Sequence, residues 1–381
     1  MADLLTLAEA RASFAATEPL ASATFAVDPE MGDAERPYVE FDDEWRLHGE
    51  DIAPTLPVEA WLTVPELDGQ RFQFTYQAAR QLGSTAHQPQ ALQISQPAEL
   101  HQLILNWWLA RGLGIRKIKL LLSPHQGEGP DGEKVPLVVA QTRDTVTPFS
   151  NLALLDEVMK VLTAKYGKDA AGRAMVHFVM NHDLEHTDCT VVVPEAGRDI
   201  AGQTWVPGTQ FTNSCIGLKQ TTVTGALMAA DSSGVALDGA HSAGGFKRKN
   251  SNPEDAYEWA AESAHDVLGA LDIAWDNVAR LHQLPIGIAP GAFVESLCSE
   301  FKVPKAQMQR LAAVLEEWPG DLTMDALVQI TARCANMEDL PWRTVAQLQE
   351  MAGHIIHSEG GRCSKDKPCY RAYPQGFEPL A

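Results

Sequence analysis

The hydrophobic pattern of this chain changes its period near residue 252, and that change limits the fold more than any other feature. Before it, apolar residues alternate in short runs such as Arg71-Phe72-Gln73-Phe74, the spacing of a half-buried strand. After it, apolar residues recur at helical spacing in segments at about 253–282, 290–300, 304–317, 323–336 and 341–357. The sequence therefore predicts an α+β protein, with a β-rich N-terminal part with packed helices followed by an all-helical C-terminal part.

The same pattern predicts the domain boundaries and several individual elements. We expect an α+β domain over residues 1–252, a helical domain over 253–357 and a polar tail over 358–381. Within the first domain, Asn151–Tyr166 is an amphipathic helix, and the Thr75 hydroxyl can cap another helix. Proline and glycine predict irregular connections over 18–36 and 194–210.

Charge and composition restrict the class of protein. Of 381 residues, 30 are lysine or arginine and 50 are aspartate or glutamate, so the net charge is −20. Such a body repels a phosphate backbone on average, and nucleic-acid binding would need a local basic patch. The six cysteines are sparse, the N-terminus does not resemble a signal peptide, and no window approaches the roughly 18 apolar residues of a membrane span. The expectation is a soluble cytoplasmic protein with no membrane partner.

Two groups of basic residues form a candidate nucleic-acid site. One group alternates along a predicted strand and the other lies mainly in a loop rich in Gly, Ser and Asn: Arg116, Lys117, Lys119, Lys219, Lys247, Arg248 and Lys249. Trp107, Trp108 or Phe246 could offer stacking surfaces for bases. The alternative is solvated charge, with the tryptophans in the core.

The C-terminal segment HIIHSEGGRCSKDKPC carries a candidate metal site. His354 and His357 can share the last turn of a helix, and Cys363 and Cys369 follow in a glycine-bearing loop that can fold back. Two imidazoles and two thiolates are a common tetrahedral set for a structural zinc ion. The alternative is an ordinary solvated terminus with two free thiols.

Two further patterns carry weaker functional interpretations. His177, His182, His186 and Cys189 could build a metal or general-base site, although their spacing suits neither one strand face nor one helix face. The Asn213-Ser214 pair lacks the Gly-x-Ser-x-Gly surroundings of a hydrolase nucleophile, so a structural role in a turn is the better interpretation.

Four segments resemble a family encoded by phages and plasmids and catalogued as domain of unknown function 932. They are FTYQAARQLGS (Phe74–Ser84), LILNWWLARG (Leu103–Gly112), VVAQTRDTVTPFSNLALLDEV (Val138–Val158) and TQFTNSCIGLKQTTVTGAL (Thr209–Leu227). The resemblance covers about residues 72–241 and is weaker in the helical part. The chain lacks the Arg…Cys-Asn-Gly stretch that often follows the fourth segment in that family. The resemblance implies no settled enzymatic activity; the family's place in phage replication and recombination regions implies nucleic-acid metabolism in a host-cell cytoplasm.

These observations predict a non-catalytic protein that binds or anneals single-stranded DNA in recombination or replication. It would act as a homo-oligomer, because one subunit has too few basic residues to hold a long strand. The alternative, favoured by the charge of −20, is an acidic interaction or regulatory protein that meets another protein. A metal-dependent enzyme using the central histidines is the third hypothesis.

Overall fold

The computed structural model describes most of the chain. The described residues are 4–17, 21–42, 56–88, 98–111, 117–143, 149–180, 187–200, 202–214, 221–229, 235–237, 243–246, 253–284, 290–335, 337, 340 and 342–358. Strands concentrate in the N-terminal and middle parts and helices in the C-terminal part, which confirms the predicted α+β class.

Fourteen strands are present among these residues. They are β1 (Leu5–Thr6), β2 (Ala21–Ala26), β3 (Tyr38–Phe41), β4 (Pro57–Val64), β5 (Gln70–Thr75), β6 (Lys117–Glu128), β7 (Lys134–Arg143), β8 (Met175–Met180), β9 (Thr187–Val192), β10 (Arg198–Ile200), β11 (Gln203–Asn213), β12 (Thr221–Ala229), β13 (Val235–Leu237) and β14 (Ala243–Phe246).

The strands form two sheets. The first has the order β1-β8-β9-β11-β12-β13, with β10 added to β11 and β14 added to β12, and its pairings are antiparallel. The second has the order β2-β6-β7-β5-β4-β3, and within it β5 and β7 run parallel while the other neighbours are antiparallel. Strand β3 therefore lies at one edge of the second sheet.

The described residues also contain ten α-helices. They are α1 (Leu7–Thr17), α2 (Tyr76–Thr85), α3 (Ala98–Arg111), α4 (Asn151–Tyr166), α5 (Lys168–Gly172), α6 (Pro253–Leu281), α7 (Pro290–Glu300), α8 (Lys305–Glu316), α9 (Met324–Ala335) and α10 (Trp342–Ser358). The expected cap of α2 is present, since the Ala78 N–H donates to Thr75 Oγ1 at 3.3 Å. None of these helices combines the length and the apolarity needed to cross a bilayer.

Each sheet has its own hydrophobic core. One face of the second sheet packs against α2 and α3, and residues such as Leu62, Phe72 and Leu105 fill that core. The first sheet packs against α1, α4 and the C-terminal helices, and its core runs without a break from Phe211 in β11 to Leu268 in α6 and Leu348 in α10. The helices after residue 253 therefore share a core with the first sheet, which differs from the separate helical domain that the change of period predicts.

Two segments expected to be irregular contain strands. Residues 194–210 include β10 and most of β11, and residues 18–36 include β2. The glycine and proline residues predicted a connection, but in β11 Gly208 has another role. A Cβ at this position would lie 2.1 Å from the Val191 carbonyl oxygen, so glycine allows the backbones of the two strands to approach closely. The Pro207 carbonyl still accepts a hydrogen bond from the Val193 N–H at 3.0 Å.

Candidate functional site

The predicted DNA-binding residues fall mostly outside the described part of the chain. Arg116, Lys219 and 247–249 are not among the described residues. Lys117 and Lys119 lie two residues apart on β6, so their side chains project from one face of the second sheet, and Lys117 is exposed. The structure therefore brings together two of the seven basic residues, and the rest of that site stays a prediction.

The two tryptophans of α3 have opposite surroundings. Trp108 is buried in the second core, as the alternative interpretation expected. Trp107 is 53% exposed, and the Arg111 guanidinium lies over its ring, 5.7 Å from the centroid. The pattern of the sequence did not distinguish the two residues, because adjacent positions on a helix differ by about 100° and only packing selects the inner one.

The structure bears differently on the two proposed histidine and cysteine sites, the one near the C-terminus and the one around His177. His354 lies on α10 with its ring edge against Phe301, centroids 5.2 Å apart; the His357 side chain, Cys363 and Cys369 lie outside the described part, so the zinc site stays a prediction. In the first sheet, His177 stands opposite Thr190, the residue after Cys189. His177 and Cys189 therefore project from opposite faces. Within the described part of the chain, no group of three or more His, Cys, Asp or Glu side chains could hold a metal ion.

Asn213 has the structural role that the sequence suggested. Its Nδ2 donates to the Phe149 carbonyl at 3.1 Å and to Asn151 Oδ1 at 2.7 Å, while Thr221 Oγ1 donates to its Oδ1 at 2.9 Å. Asn151 Nδ2 in turn donates to Thr187 Oγ1 at 3.2 Å. These buried amide and hydroxyl groups satisfy one another and join the start of α4 to the ends of three strands.

A cleft of about 740 Å³ lies on the second sheet and is a candidate binding site. Its position follows from the pairing register. Trp61 stands opposite both Glu40 and Gln73, whereas the next residue, Leu62, stands opposite the core residues Val39 and Phe72. Because successive side chains of a strand alternate between faces, the row of Trp61 faces away from the core and forms the floor of the cleft.

The tip of the β6–β7 hairpin folds over this floor. Trp61 Nε1 donates to the Glu128 carbonyl at 2.8 Å, and the Glu128 N–H donates to Gln73 Oε1 at 2.8 Å. Gln73 Nε2 completes the attachment by donating to the Val58 carbonyl at 3.1 Å. The bend that allows this contact coincides with a register shift between Leu122 and Gln126 in β6.

Arg71 fastens the tip to the sheet from the other side. Its guanidinium lies 3.3 Å from a Glu40 oxygen, 3.8 Å from an Asp131 oxygen and 3.3 Å from a Glu133 oxygen. The pKa of Glu133 is lowered, first because its own backbone N–H group bonds to the carboxylate, with smaller contributions from the Asp131 N–H and Arg71. Glu133 therefore keeps its charge, and the tip stays paired with the sheet at neutral pH.

The lining of the cleft is strongly acidic. Among the residues that the structure describes, five carboxylate residues and one cation, Arg71, line it: Glu40, Asp42, Glu59, Glu128 and Asp131. Arg71 is already surrounded by acidic groups, and Glu59 and Glu128 form no ion pair with any residue that the structure describes. An excess of negative charge in a concave site attracts cations and repels phosphate.

The sequence interpretation missed this site, although one signal for it was present. The segment SPHQGEGPDGEK, residues 123–134, has the glycine and proline residues of a hairpin connection. In the structure β6 continues to Glu128, and the chain turns over the residues that follow, with Gly132 at a φ of 77°. The acidic residues of this segment, however, are about sixty to ninety positions away from Glu40 and Arg71, and the periodicity of a sequence does not show which strands become neighbours.

Comparison of the chain with models of protein families, with curated proteins and with solved structures finds no match. The resemblance over residues 72–241 therefore stays a prediction.

Proposed function

We propose that this protein is a non-catalytic interaction protein that holds a basic segment of a partner protein in the acidic cleft of its second sheet. The observation that carries the proposal is the lining of that cleft: among the described residues, five carboxylates lie around Trp61, and the one cation there, Arg71, is paired with acidic groups of the same molecule. This is the second of the hypotheses that the composition suggested, now attached to particular residues.

Charge supports this choice of partner. The net charge of −20 draws a positive segment towards the molecule, and the carboxylates of the cleft concentrate that attraction at one place. A phosphate backbone would be repelled both by the net charge of the molecule at a distance and by the carboxylates of the cleft on contact. Since most of these carboxylates are solvent-exposed, each contact contributes on the order of 1 kcal/mol or less, so we expect salt-sensitive binding with a Kd of roughly 0.1–1 mM.

The shape of the cleft supports a segment carrying lysine or arginine. A volume of about 740 Å³ lies within the range of sites that take a small ligand or a few side chains. The exposed Pro130 and the small exposed part of Trp61, 8% of that residue, can contact the methylene stem of such a side chain, while Glu59 and Glu128 can accept hydrogen bonds from its charged end. The carboxylates thus attract the basic side chain, and the floor of the cleft contacts its apolar part.

Fluorescence anisotropy tests the proposal with the full-length chain and a labelled peptide rich in lysine and arginine. The double variant Glu59→Lys/Glu128→Lys reverses two charges in the cleft and should weaken binding by about tenfold or more. Glu316→Lys/Glu317→Lys is the matched control, because it makes the same change in net charge at exposed positions at the end of α8. That control should lower the affinity by about twofold or less, through the general field alone.

Equal losses for the two double variants would show that the peptide responds to net charge and not to the cleft. Circular dichroism and thermal unfolding of both variants establish that the fold is retained. A peptide of equal length with glutamine in place of its basic residues should not bind either protein.

Single-stranded DNA binding is the second candidate, and the observation in its favour is the shared face of Lys117 and Lys119 on β6. Replacing Lys247, Arg248 and Lys249 by alanine should then weaken binding to an oligothymidine at low salt without lowering the melting temperature. Binding equal to that of the wild type would remove this loop from any DNA site. A wild-type protein that does not shift the oligothymidine at low salt would remove the function itself.

A further inference from the structure

Helix α3 presents an apolar stripe to solvent on the side opposite its core contacts. Leu100, Leu103 and Trp107 are 40%, 66% and 53% exposed, and the partly exposed Ala110 continues the same line. Their spacing of three, four and three residues is that of the seam along which two helices pack. Single exposed apolar residues are ordinary, but four positions in a seam form a surface suited to another helix.

The stripe lies on a rigidly held helix. On its inner side, the Val39 N–H donates to Asn106 Oδ1 at 2.7 Å and the Phe41 N–H donates to Gln102 Oε1 at 2.8 Å. Leu105 and Trp108 are buried in the core beneath. A partner that binds the stripe therefore meets a surface that is already ordered and loses little conformational entropy on binding.

The stripe is symmetric about position 105. Leu103 and Trp107 lie two residues either side of it, and Leu100 and Ala110 lie five residues either side. If two copies of α3 pack antiparallel about a two-fold axis at this position, Leu103 of one copy meets Trp107 of the other. A large side chain, Leu100, then faces a small one, Ala110. An interface about a two-fold axis requires this kind of self-complementarity.

The charges at the ends of the stripe follow the same symmetry. Glu99 and Arg111 are both exposed and lie six residues either side of position 105. Antiparallel pairing brings Glu99 of each copy level with Arg111 of the other at an end of the seam, where the opposite charges attract across it. A parallel pairing would instead place like charges together. The ends of the stripe thus favour one orientation.

We propose that α3 is a homodimerisation surface, in which Leu100, Leu103, Trp107 and Ala110 pack antiparallel against the same residues of a second copy, with Glu99 of each copy level with Arg111 of the other at the two ends. The seam is short, so the dimer is a concentration-dependent one. This surface is separate from the acidic cleft, which lies on the other face of the sheet.

A charge-exchange experiment on the full-length chain tests this arrangement by sedimentation velocity over a concentration series. Glu99→Arg alone and Arg111→Glu alone should each weaken self-association, because each places like charges at both ends of the seam. The double variant Glu99→Arg/Arg111→Glu should restore it. An equimolar mixture of the two single variants should form heterodimers, because positions 99 and 111 then carry only Arg in one subunit and only Glu in the other. An effect of either substitution within its own subunit would not produce this heterodimer.

Leu103→Asp tests the apolar part of the seam and should weaken association by about tenfold or more. Its matched control is Leu56→Asp, at a leucine that is 51% exposed elsewhere on the surface, and it should leave association unchanged. A wild-type chain that stays monomeric at the highest concentration reached overturns the proposal. So does a dimer that Leu103→Asp does not weaken. The same holds for a monomer whose tryptophan fluorescence an oligothymidine quenches in the wild type but not in Trp107→Leu, since the stripe would then be a nucleic-acid surface.

Discussion

Asn106 of α3 and Val39 of β3 are joined by two hydrogen bonds in opposite directions: the Val39 N–H donates to Asn106 Oδ1 at 2.7 Å, and Asn106 Nδ2 donates to the Val39 carbonyl at 2.9 Å. Val39 lies in the edge strand of the second sheet, and no strand within the described part of the chain pairs with these outward-facing backbone groups. The amide of Asn106 therefore replaces a neighbouring strand and covers the edge. Glu40 and Phe41, which follow Val39 along the strand, line the cleft.

Replacing Asn106 by leucine should destabilise the protein by about 2 kcal/mol, because two partly buried backbone groups lose their partner. Urea unfolding measures this change. Hydrogen exchange should show faster exchange at the Val39 amide, and the basic peptide should bind more weakly, since one wall of the cleft is loosened. If the Val39 amide keeps its protection in Asn106→Leu, the side chain is not what covers the edge.

His101 should make the same region sensitive to acid. Burial lowers its pKa from 6.5 to about 4, so the folded protein holds a neutral imidazole, whose ring packs 5.2 Å from that of Phe41. The unfolded chain binds the proton more readily than the folded one. The stabilisation is therefore fully present above pH 6.5 and is lost as the pH falls towards 4, by up to about 3 kcal/mol.

Urea unfolding midpoints between pH 7 and pH 4 test this prediction in the wild type and in His101→Leu, which cannot titrate at this position. The wild type should lose stability relative to the variant across that range. His265→Gln, at an exposed histidine of α6, should follow the wild type. Parallel curves for the wild type and His101→Leu would contradict the assignment.

Asp325 at the start of α9 should show the opposite pH dependence. Burial is the main cause that raises its pKa, against hydrogen bonds from Gln329 Nε2 at 2.8 Å and from His282, whose Nδ1 lies 3.6 Å from the carboxylate. A raised pKa means that the stability contribution is fully present below the ordinary value of 3.8 and is lost as the pH rises through the folded value. Asp325→Asn should therefore melt at a higher temperature than the wild type at pH 7.

The difference between Asp325→Asn and the wild type should shrink as the pH falls towards 4, where the carboxyl of the wild type takes up its proton. Differential scanning calorimetry across this range provides the measurement. A variant that is less stable than the wild type at pH 7 would show that the contacts with Gln329 and His282 outweigh the cost of burial.

Much of the secondary structure could be predicted from the sequence, and the reasons differ between elements. Helix α4 has the predicted bounds of Asn151–Tyr166, and the C-terminal helices differ from prediction by a residue or two at their ends. These segments keep one apolar face over several turns, and such a period is visible without knowledge of the partner. The first part of β11 was predicted as a connection because it contains Gly208. That glycine is needed where β11 passes close to the backbone of β9, and this contact exists only in the assembled sheet.

The candidate site was less predictable than the fold. The lysines and histidines were candidates because of their residue type alone. The cleft instead depends on contacts between residues far apart in the sequence, among them Arg71 with Glu133 and Trp61 with the Glu128 backbone. The sequence showed that the molecule is acidic but not where its acidic residues converge. Likewise the sequence shows apolar residues at helical spacing in α3 but not which of them face solvent, because the exposed face is defined by what Asn106 and Leu105 contact on the inner side.

The zinc prediction for the C-terminal segment has a direct test. Untagged wild-type protein should contain one zinc ion per chain by atomic emission, and the Cys363→Ser/Cys369→Ser variant should contain none. Affinity should fall as the pH drops, because protons compete for the imidazoles and the thiolates. A content near zero in wild-type protein prepared in the presence of zinc would leave an ordinary terminus with two thiols.

Gly127 should be essential for the shape of the cleft, because the hairpin passes directly over Gln73 at this point. A Cβ on Gly127 would lie 2.4 Å from Gln73 Oε1 and 3.0 Å from the Gln73 Cβ, so the side chain cannot escape by a small rotation of its end. Gly127→Ala should therefore displace Gln73 or lift the hairpin, and break the hydrogen bond from the Glu128 N–H. The expected cost is about 1–3 kcal/mol in stability, with a loss of affinity for the basic peptide.

The matched control is Gly269→Ala in α6, where an added Cβ meets no atom within 4 Å and alanine is the better helix former. That variant should be as stable as the wild type or more stable by about 0.5–1 kcal/mol, and its peptide affinity should not change. If Gly127→Ala binds the peptide as the wild type does while losing stability, the hairpin tip contributes to folding but does not form a wall of the binding site.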